Sequence, residues 1–358
     1  MSEKVLMKGN EAIAEAAIRA GCRHYYGYPI TPQTEIAAYM SKRMPKIGGT
    51  FLQAESEIAA INMVYGTAST GRRVMTSSSS PGIALKAEGI SYLAGADLPA
   101  LIVNVQRGGP GLGGIQPSQA DYFFATRGPG HGDFHIIVLA PASVQEMADL
   151  TRKAFELAEK YRMPAMLLAD GTMGQMMEPV VLPGDEVAPE AVQSLNGSAE
   201  WATVGTEMKR PHHIVNSLYL KPDELEKTNI ERFRRYERLA AEETMWEEYL
   251  MDDAEICVVS TGITARVSKN AIVECRKRGI KVGMIRPITL FPFPNAPLAK
   301  AAAKVKGFLC VELNMGQMTE DVKLATNCAK PVDLCFRVGG MIPSTDEVVA
   351  AIEREAAR

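Results

Sequence analysis

The chain has 358 residues, of which 46% are hydrophobic, and a net charge of only −3. So small a charge excludes broad electrostatic binding to nucleic acid or acidic membranes, and no apolar run reaches the roughly 20 residues that span a bilayer. Charged residues interrupt the start of the chain, so we expect no signal peptide and a cytoplasmic location. The six cysteines include no C-x-x-C pair, which favours buried reduced thiols over a metal or iron–sulfur site.

Residues 1–182 alternate between helical and strand patterns. Helices are predicted from residue 10 to 20, from 57 to 68 and from 143 to 160. Short apolar runs predict buried strands that begin at His24, Arg73, Leu101, His135 and Ala165. The third helix opens with a capping box, Ser143 to Glu146. Apolar strands interleaved with helices predict an α/β fold in which helices cover both faces of a mostly parallel sheet.

The pattern changes after Leu182. Residues 183–252 are interpreted as a connecting segment that is partly helical, because a charged stretch from Asp223 to Tyr249 has helical character. From residue 253 to 358 the alternation returns, with strands expected near residues 256, 281 and 308 and helices over 264–278 and 344–356. The sequence therefore predicts two α/β domains and a connecting segment.

A rigid turn, Gly27-Tyr-Pro-Ile-Thr-Pro32, follows the first strand of this series. Pro29 and Pro32 each fix one backbone angle and disfavour helix at the residue before them. In α/β sheets the carboxyl ends of strands are where ligands bind, so Thr31 could present its hydroxyl to a ligand. Thr31 could also cap a helix that starts at Pro32; the pattern by itself favours this cap, and both roles can hold together.

Two carboxylates, Glu55 and Glu57, precede an apolar helix rich in small residues. The ordinary explanation is that acidic side chains complement the positive end of a helix dipole. Since the helix is predicted to be buried, one carboxyl could instead be held in a low dielectric and stay protonated. Positions two apart point in different directions on a helix, so at most one of the two faces a given site.

Two loops could bind anions. Thr76-Ser-Ser-Ser-Ser-Pro-Gly82 follows a strand and opens a helix, which suits a phosphate cradle or a simple polar loop equally well. Arg107 ends another strand, and five of the next seven residues are glycine. An arginine beside so mobile a loop suits a carboxylate or phosphate ligand, although a surface arginine next to a lid is the alternative.

Four segments, in this order, resemble the alpha-type subunits of 2-oxoacid:ferredoxin oxidoreductases. They are Tyr28-Pro-Ile-Thr-Pro32, Glu55-Ser-Glu57-Ile-Ala-Ala, Ser79-Ser-Pro-Gly82 and Gln106-Arg107-Gly-Gly-Pro. The resemblance implies that residues 1–182 form a pyrimidine-binding domain for thiamine diphosphate. Ile285-Arg-Pro-Ile-Thr-Leu-Phe-Pro-Phe-Pro294 resembles the transketolase C-terminal-like domain, which implies that fold for residues 253–358.

The resemblance also implies roles for individual residues. Glu57 matches the glutamate that hydrogen-bonds the aminopyrimidine ring, and its spacing to Gly66 selects it over Glu55. Thr31 matches a hydroxyl that contacts both cofactor and substrate, and Arg107 matches the arginine that receives the substrate carboxylate. The cofactor-binding residues expected from the match are Tyr28, Pro29, Ile30, Thr31 and Glu57.

The chain lacks the Gly-Asp-Gly motif that holds Mg²⁺ and the diphosphate, since Gly132-Asp-Phe and Gly184-Asp-Glu do not fit, and it has no cysteine cluster. The resemblance therefore implies that thiamine diphosphate is shared with a beta-type subunit. It also implies a gamma-type subunit and a ferredoxin-like subunit as further partners. Mg²⁺ and the [4Fe-4S] clusters are expected on those partner chains. We expect CoA-dependent oxidative decarboxylation that reduces ferredoxin.

Three further segments suggest a substrate. Leu6-Met-Lys-Gly-Asn-Glu-Ala-Ile, Gly89-Ile-Ser-Tyr-Leu-Ala-Gly-Ala and Met173-Gly-Gln-Met-Met-Glu-Pro are most similar to B subunits of family members that act on the branched-chain 2-oxoacid 3-methyl-2-oxobutanoate. The alternative substrate is 2-oxoglutarate, and nothing in the spacing of residues separates the two. An alternative of another class is a noncatalytic scaffold with a degenerate thiamine fold, which retention of Glu57, Thr31 and Arg107 argues against.

Overall fold

A computed structural model of the chain describes residues 4–182, 184 and 199–358. The β-strands are β1 Val5–Lys8, β2 His24–Gly27, β3 Thr50–Gln53, β4 Val74–Ser78, β5 Leu101–Gln106, β6 Ile137–Leu139, β7 Ala165–Asp170, β8 Met177–Val180, β9 Trp246–Tyr249, β10 Ile256–Ser260, β11 Val282–Pro287, β12 Thr289–Phe291, β13 Gly307–Glu312 and β14 Val332–Phe336. The α-helices are α1 Gly9–Arg19, α2 Thr34–Arg43, α3 Glu57–Ser69, α4 Ser80–Gly95, α5 Tyr122–Thr126, α6 Val144–Tyr161, α7 Gly171–Gln175, α8 Pro222–Glu243, α9 Gly262–Lys277, α10 Asn295–Ala302, α11 Gln317–Ala325 and α12 Thr345–Ala356.

The first domain is built on a seven-stranded sheet in the order β12-β6-β7-β5-β4-β2-β3. Every neighbouring pair is parallel except β12 with β6. The strands are short, and β4, β5 and β7 are buried along their whole length. The predicted α/β class with mostly parallel sheets is confirmed.

Alternate residues of each strand supply two separate cores, because successive side chains point to opposite faces of a sheet. On one face, Leu101 and Val103 of β5 pack with Ile13 of α1 and Phe155 of α6. On the other face, Ile102 packs into a second core. Helices α3 and α4 contribute to that second core and lie against each other. Both helices begin shortly after strands of the first sheet, α3 after β3 and α4 after β4.

The second domain has a five-stranded sheet in the order β14-β13-β10-β11-β9, parallel except for β9 against β11. The chain crosses back to the first domain after β11, where β12 joins the edge of the seven-stranded sheet beside β6. Both domains also share the second core, to which Val259 and Phe308 contribute. The two sheets are thus joined by a strand and by buried apolar surface.

The connecting segment departs from prediction at its end. Helix α8 stops at Glu243, and the following residues form β9, so the expectation of helix as far as Tyr249 is wrong. Trp246 and Tyr249 are aromatic residues that favour strands, and pairing with β11 decides the outcome. Helix α8 packs on the first domain, where Tyr236 meets His135 edge-on. Residues 183 and 185–198 lie outside the described part of the chain.

Most of the thiols are buried. All six cysteines are free. Cys335 is partly buried, Cys328 is exposed, and the buried ones are Cys22, Cys257, Cys275 and Cys310. Burial raises the pKa of the Cys22 thiol to about 11. Among the described residues, no helix is long and apolar enough to cross a membrane.

Candidate active site

The predicted site residues follow strands that end at one edge of the first sheet. Thr31 follows β2, Glu57 follows β3 and Arg107 follows β5, and the polar loop at Ser79 follows β4. Strands β5, β4, β2 and β3 are neighbours and parallel, so their carboxyl ends share one edge. The topology therefore brings all four segments together, at the position where α/β sheets bind ligands.

The structure separates the two acidic residues. Glu55 is exposed, whereas Glu57 is the first residue of α3 and only 6% exposed. Ser56 caps the helix by accepting a hydrogen bond from the Ala59 N–H over 3.1 Å. Glu57, the first residue after the cap, is buried, whereas Glu55 precedes the helix and is exposed. Only the Glu57 carboxyl therefore faces the protein interior.

Glycine at position 82 makes room for that carboxyl group. A Cβ at Gly82 would lie 2.5 Å from Glu57 Oε1 and 2.1 Å from Ser78 Oγ, distances that no side chain could tolerate. The hydroxyls of Ser78 and Ser79 are buried and have no hydrogen-bond partner among the described residues. Buried polar groups are nearly always hydrogen-bonded, so these two hydroxyls, of which that of Ser78 lies beside the Glu57 carboxyl, point to a polar ligand.

The Tyr28–Pro32 loop is held from behind by Gln33. Helix α2 begins at Thr34 with Gln33 at its N-cap position, so the expectation that Thr31 caps a helix starting at Pro32 is wrong. Gln33 is fully buried, donates from Nε2 to the Tyr28 carbonyl over 3.3 Å and accepts from Ser77 Oγ over 2.5 Å. Tyr28, Pro29 and Thr31 remain exposed at the sheet edge and Ile30 is half-buried.

Arg107 is buried at the same edge, which excludes the surface-arginine alternative. Its Nη1 donates to the Thr31 carbonyl over 3.0 Å and its Nη2 to the Leu112 carbonyl over 2.9 Å. Its Nε is buried without a partner among the described residues. One edge of the guanidinium, Nε with Nη2, therefore has a free donor and a donor held only by a loop carbonyl.

Residues 108–116 form a glycine-rich lid over Arg107. The lid closes on itself through a 2.9 Å bond from the Gly114 N–H to the Gly108 carbonyl. Gly113 has φ +58°, and a Cβ there would lie 1.8 Å from the Gly108 oxygen, so only glycine fits. Leu112 at its tip is 83% exposed. The exposed tip of the lid contacts Arg107 through the Leu112 carbonyl.

The chain after the lid is fixed to the second domain through Gln119. This buried residue donates from Nε2 to the Thr261 carbonyl over 2.9 Å and accepts at Oε1 from the Leu313 N–H over 3.0 Å. Its backbone carbonyl accepts from Asn314 Nδ2 over 2.9 Å. The second domain thereby anchors one end of the lid, while Arg107 and Thr31 hold the other.

Three residues near the site could not be predicted from the sequence: Gln33, Gln119 and the fully buried Lys86. Gln33 and Gln119 occur in loops, where glutamine is an ordinary surface residue, and Lys86 occupies a helix position where lysine usually reaches solvent. Only the tertiary structure shows that they are buried. A single sequence carries no signal for them.

Comparison with known proteins identifies the family. The family model described as pyruvate flavodoxin/ferredoxin oxidoreductase, thiamine diP-binding, matches residues 15–247. The chain belongs to the 2-oxoacid:ferredoxin oxidoreductase family. A second model, pyruvate:ferredoxin oxidoreductase core domain II, matches residues 254–348 of this oxidoreductase subunit. The resemblance found in the sequence is confirmed, and thiamine diphosphate is the cofactor of the first domain's family.

Similar proteins cover the whole chain. Ketoisovalerate oxidoreductase subunit VorB of Methanothermobacter thermautotrophicus is 49% identical over 98% of this chain and 97% of its own length. The 2-oxoglutarate synthase subunit KorA of the same organism is 36% identical over 98% of this chain and 99% of its own length. This oxidoreductase subunit is thus similar along its full extent to subunits that are named for two different 2-oxoacids.

Solved structures agree on the fold. The 2-oxoglutarate:ferredoxin oxidoreductase of Magnetococcus marinus superposes with a TM-score of 0.85 at 27% identity, over 99% of this chain and 66% of that one. This chain therefore spans about two thirds of that structure's chain. A split-gene transketolase matches with a TM-score of 0.61 at 13% identity, which shows the shared fold alone. The prediction of two thiamine-enzyme-like domains is confirmed.

Proposed function

We propose that the edge formed by Thr31, Glu57 and Arg107 binds the pyrimidine side of thiamine diphosphate together with a 2-oxoacid. The observation that carries the proposal is the buried Glu57 carboxyl, which sits against Gly82 beside the Ser78 hydroxyl, a buried group with no partner among the described residues. Thiamine diphosphate supplies the nucleophilic carbon and the electron sink for decarboxylation. The Glu57 carboxyl would hydrogen-bond the pyrimidine N1′ and move a proton to and from it, while Tyr28, Pro29 and Ile30 would border the ring.

Arg107 binds the substrate carboxylate in this proposal. Its Nε has no partner among the described residues, and its Nη2 is held by the Leu112 carbonyl. A carboxylate that accepts from both donors replaces the lid carbonyl, because a charge-assisted bidentate pair is stronger than a bond to a neutral carbonyl. Substrate binding therefore releases the lid from Arg107, and Thr31 stays fixed through its own carbonyl bond to Nη1.

Partner subunits complete the site. Among the described residues, no group of three or more His, Cys, Asp or Glu side chains is placed to hold a metal ion. The proposal places Mg²⁺ on a beta-type subunit and [4Fe-4S] clusters on partner chains, with a gamma-type and a ferredoxin-like subunit completing the complex. Helices α3 and α4 expose apolar residues next to the site, among them Ile58 and Leu85, each about half exposed, which suits the beta-type contact.

The substrate proposed is 3-methyl-2-oxobutanoate, also called ketoisovalerate, which the assembled enzyme converts with coenzyme A to acyl-CoA, CO₂ and reduced ferredoxin in the cytoplasm. The higher identity to subunits named for ketoisovalerate supports this choice over 2-oxoglutarate. A cleft of about 690 Å³ beside Thr31 agrees, since Glu35 is the one charged residue among the described residues that line it. The Lys8 ammonium lies 3.2 Å from Glu35, and this pairing leaves Lys8 less available to a second substrate carboxylate.

The proposal is tested by purifying the native complex and measuring ferredoxin or viologen reduction with a panel of 2-oxoacids. Branched-chain 2-oxoacids should give the highest kcat/KM, and a preference for 2-oxoglutarate would assign the alternative substrate. No reduction with any 2-oxoacid would contradict the proposed reaction.

The shared site has its own test in calorimetry. The purified single chain should bind thiamine diphosphate weakly, because it lacks the diphosphate and metal motif. Submicromolar binding to the single chain would overturn the two-chain site.

A further inference from the structure

Lys86 is an unusual residue in this fold, because it is fully buried in the middle of α4. Lysine is almost never fully buried unless its ammonium group is paired. The hydrogen bond that the structure gives it is a long one, 3.4 Å from Nζ to the carbonyl oxygen of Glu57. The side chain therefore ends beneath the first residue of α3, whose carboxyl faces the site.

The helix packing directs Lys86 toward Glu57. Gly82, Lys86 and Gly89 are spaced by four and three residues, so they lie on one face of α4. A Cβ at Gly82 would lie 2.5 Å from Glu57 Oε1, and one at Gly89 would lie 2.5 Å from Ile61 Cγ2. The two glycines bring α3 into close contact on either side of the lysine, which leaves its ammonium group no path to solvent.

Glu57 is the charged group that acts on Lys86. Burial lowers the pKa of Lys86 to about 8, and the Glu57 charge partly opposes that change. The other charged residues nearby have different partners: Glu88 bonds the Tyr92 hydroxyl at the surface, and Asp121 accepts from Asn104. Arg107, which the proposed site assigns to the substrate, bonds the Thr31 carbonyl.

We infer that Lys86 is a positioning residue for Glu57, which fixes the first turn of α3 and places a cation behind the Glu57 carboxyl. The inference rests on the role proposed above for Glu57. A cation there stabilises the ionised carboxylate, and so favours transfer of the Glu57 proton to the pyrimidine N1′. Because coupling between two charges is reciprocal, whatever Lys86 does to Glu57 can be measured at Lys86 itself.

The direct test needs no catalysis. In the full chain labelled with ¹³C at the lysine ε-carbons, the Lys86 signal is assigned by its loss in Lys86→Met and then titrated by NMR. Lys86 should titrate near pH 8, and Glu57→Gln should lower that value further by removing the favourable charge. Glu55→Gln is the matched control and should leave it unchanged. Titration near the ordinary 10.5, or the same value in wild type and Glu57→Gln, would overturn the inference.

The second test uses the assembled enzyme. Methionine has a similar length and no charge, so Lys86→Met should fold with a melting temperature at or above that of the wild type, as apolar replacements of buried charges often do. Its kcat should fall about 10-fold, the equivalent of roughly one pKa unit of coupling, with bound cofactor and KM little changed. The wild-type kcat should decline as pH rises through about 8, and the variant should lack that decline.

The two tests separate the possible failures. Wild-type kcat and pH profile in Lys86→Met would reduce Lys86 to a space-filling residue and overturn the inference. Coupled titration by NMR together with full activity of Glu57→Gln would instead contradict the proposed role of Glu57, while the charge coupling between the two residues would stand.

Discussion

The carboxyl edges of the two sheets are built differently. Of the buried polar atoms without partners among the described residues, three belong to the strand ends of the first sheet: Ser78 Oγ, Ser79 Oγ and Arg107 Nε. Residues 254–358, all of which are described, contain none of these atoms. Polar groups at the end of β13 are fully used: Glu312 accepts from the Met318 N–H over 2.8 Å and from Thr319 Oγ1 over 2.7 Å.

The difference indicates which of the two sheet edges binds a ligand. An edge whose polar groups bond one another is complete without a ligand, and the second sheet uses its edge to hold Gln119 and the chain after the lid. An edge with buried donors and acceptors left over is stable only because the rest of the domain compensates, and a ligand satisfies them. The first edge binds the cofactor in this account, and the second orients the lid.

Of the variants at the carboxyl edge of the first sheet, Glu57→Gln should cause the largest loss of activity in the assembled enzyme. Glutamine keeps the size of the side chain but cannot donate a carboxyl proton, so kcat should fall by about 10²- to 10⁴-fold while cofactor content stays constant. Steady-state ferredoxin reduction measures the loss. Glu55→Gln, at an exposed position two residues earlier, is the control and should lose little.

Arg107→Ala should have the next largest effect. Loss of a charge-assisted hydrogen bond costs about 1.5–3 kcal/mol, so kcat/KM for the oxoacid should fall roughly 10- to 100-fold, mainly through KM. Bound cofactor should not change. Unaltered kinetics would show that the buried guanidinium serves the lid alone.

Gln119→Ala should break the second edge without touching the chemistry directly. The variant leaves the buried Leu313 N–H without its partner, while the Thr261 carbonyl keeps its bonds from the Thr264 hydroxyl and the Ala265 N–H. The unpaired N–H should lower the free energy of unfolding by about 1–3 kcal/mol. Denaturant unfolding of the single chain measures it. Gln116→Ala, on the exposed lid, is expected to stay within about 0.5 kcal/mol of the wild type.

The smallest effect sharpens the comparison. Ser79→Ala should leave the unfolding free energy of the single chain within about 0.5 kcal/mol, because its hydroxyl has no partner to lose, yet weaken cofactor binding in the complex. Thr319→Val, which removes a bonded hydroxyl of the second edge, should cost about 1–3 kcal/mol. Equal losses in both variants would mean that the two edges do not differ.

Most of the fold could be predicted because apolar periodicity reports directly on burial. Helix α3 was expected over 57–68 and is Glu57–Ser69, and α6 was expected over 143–160 and is Val144–Tyr161. The capping box at α6 is only half formed. Ser143 caps the helix, but the Glu146 carboxylate bonds the Ala142 N–H and Arg286.

Long-range pairing could not be predicted. Strand β12 is a short run between prolines whose place beside β6 depends on a partner about 150 residues away. Strand β9 is a second example. The charged residues around it predict a helix, and only its pairing with β11 makes it a strand. The division into 1–182, 183–252 and 253–358 stays a prediction.

The site was predictable where its residues follow strands, since strand ends share an edge whatever the details of packing. Thr31, Glu57 and Arg107 belong to this group, although their roles came from family resemblance and stay predictions. Lys86 and Gln33 lie behind the residues that face the site, and their burial depends on how α4 and α2 pack. No local pattern in one sequence encodes that packing.

Hydrogen–deuterium exchange at C2 of the bound cofactor tests the central claim most directly, because it measures proton removal apart from electron transfer. In the assembled enzyme, Glu57→Gln should slow this exchange by about 10²- to 10⁴-fold, and Glu55→Gln should leave it near the wild-type rate. If Glu55→Gln abolishes exchange and Glu57→Gln does not, the wrong carboxylate has been assigned. Normal exchange in both variants would contradict the assignment of a thiamine site to this edge.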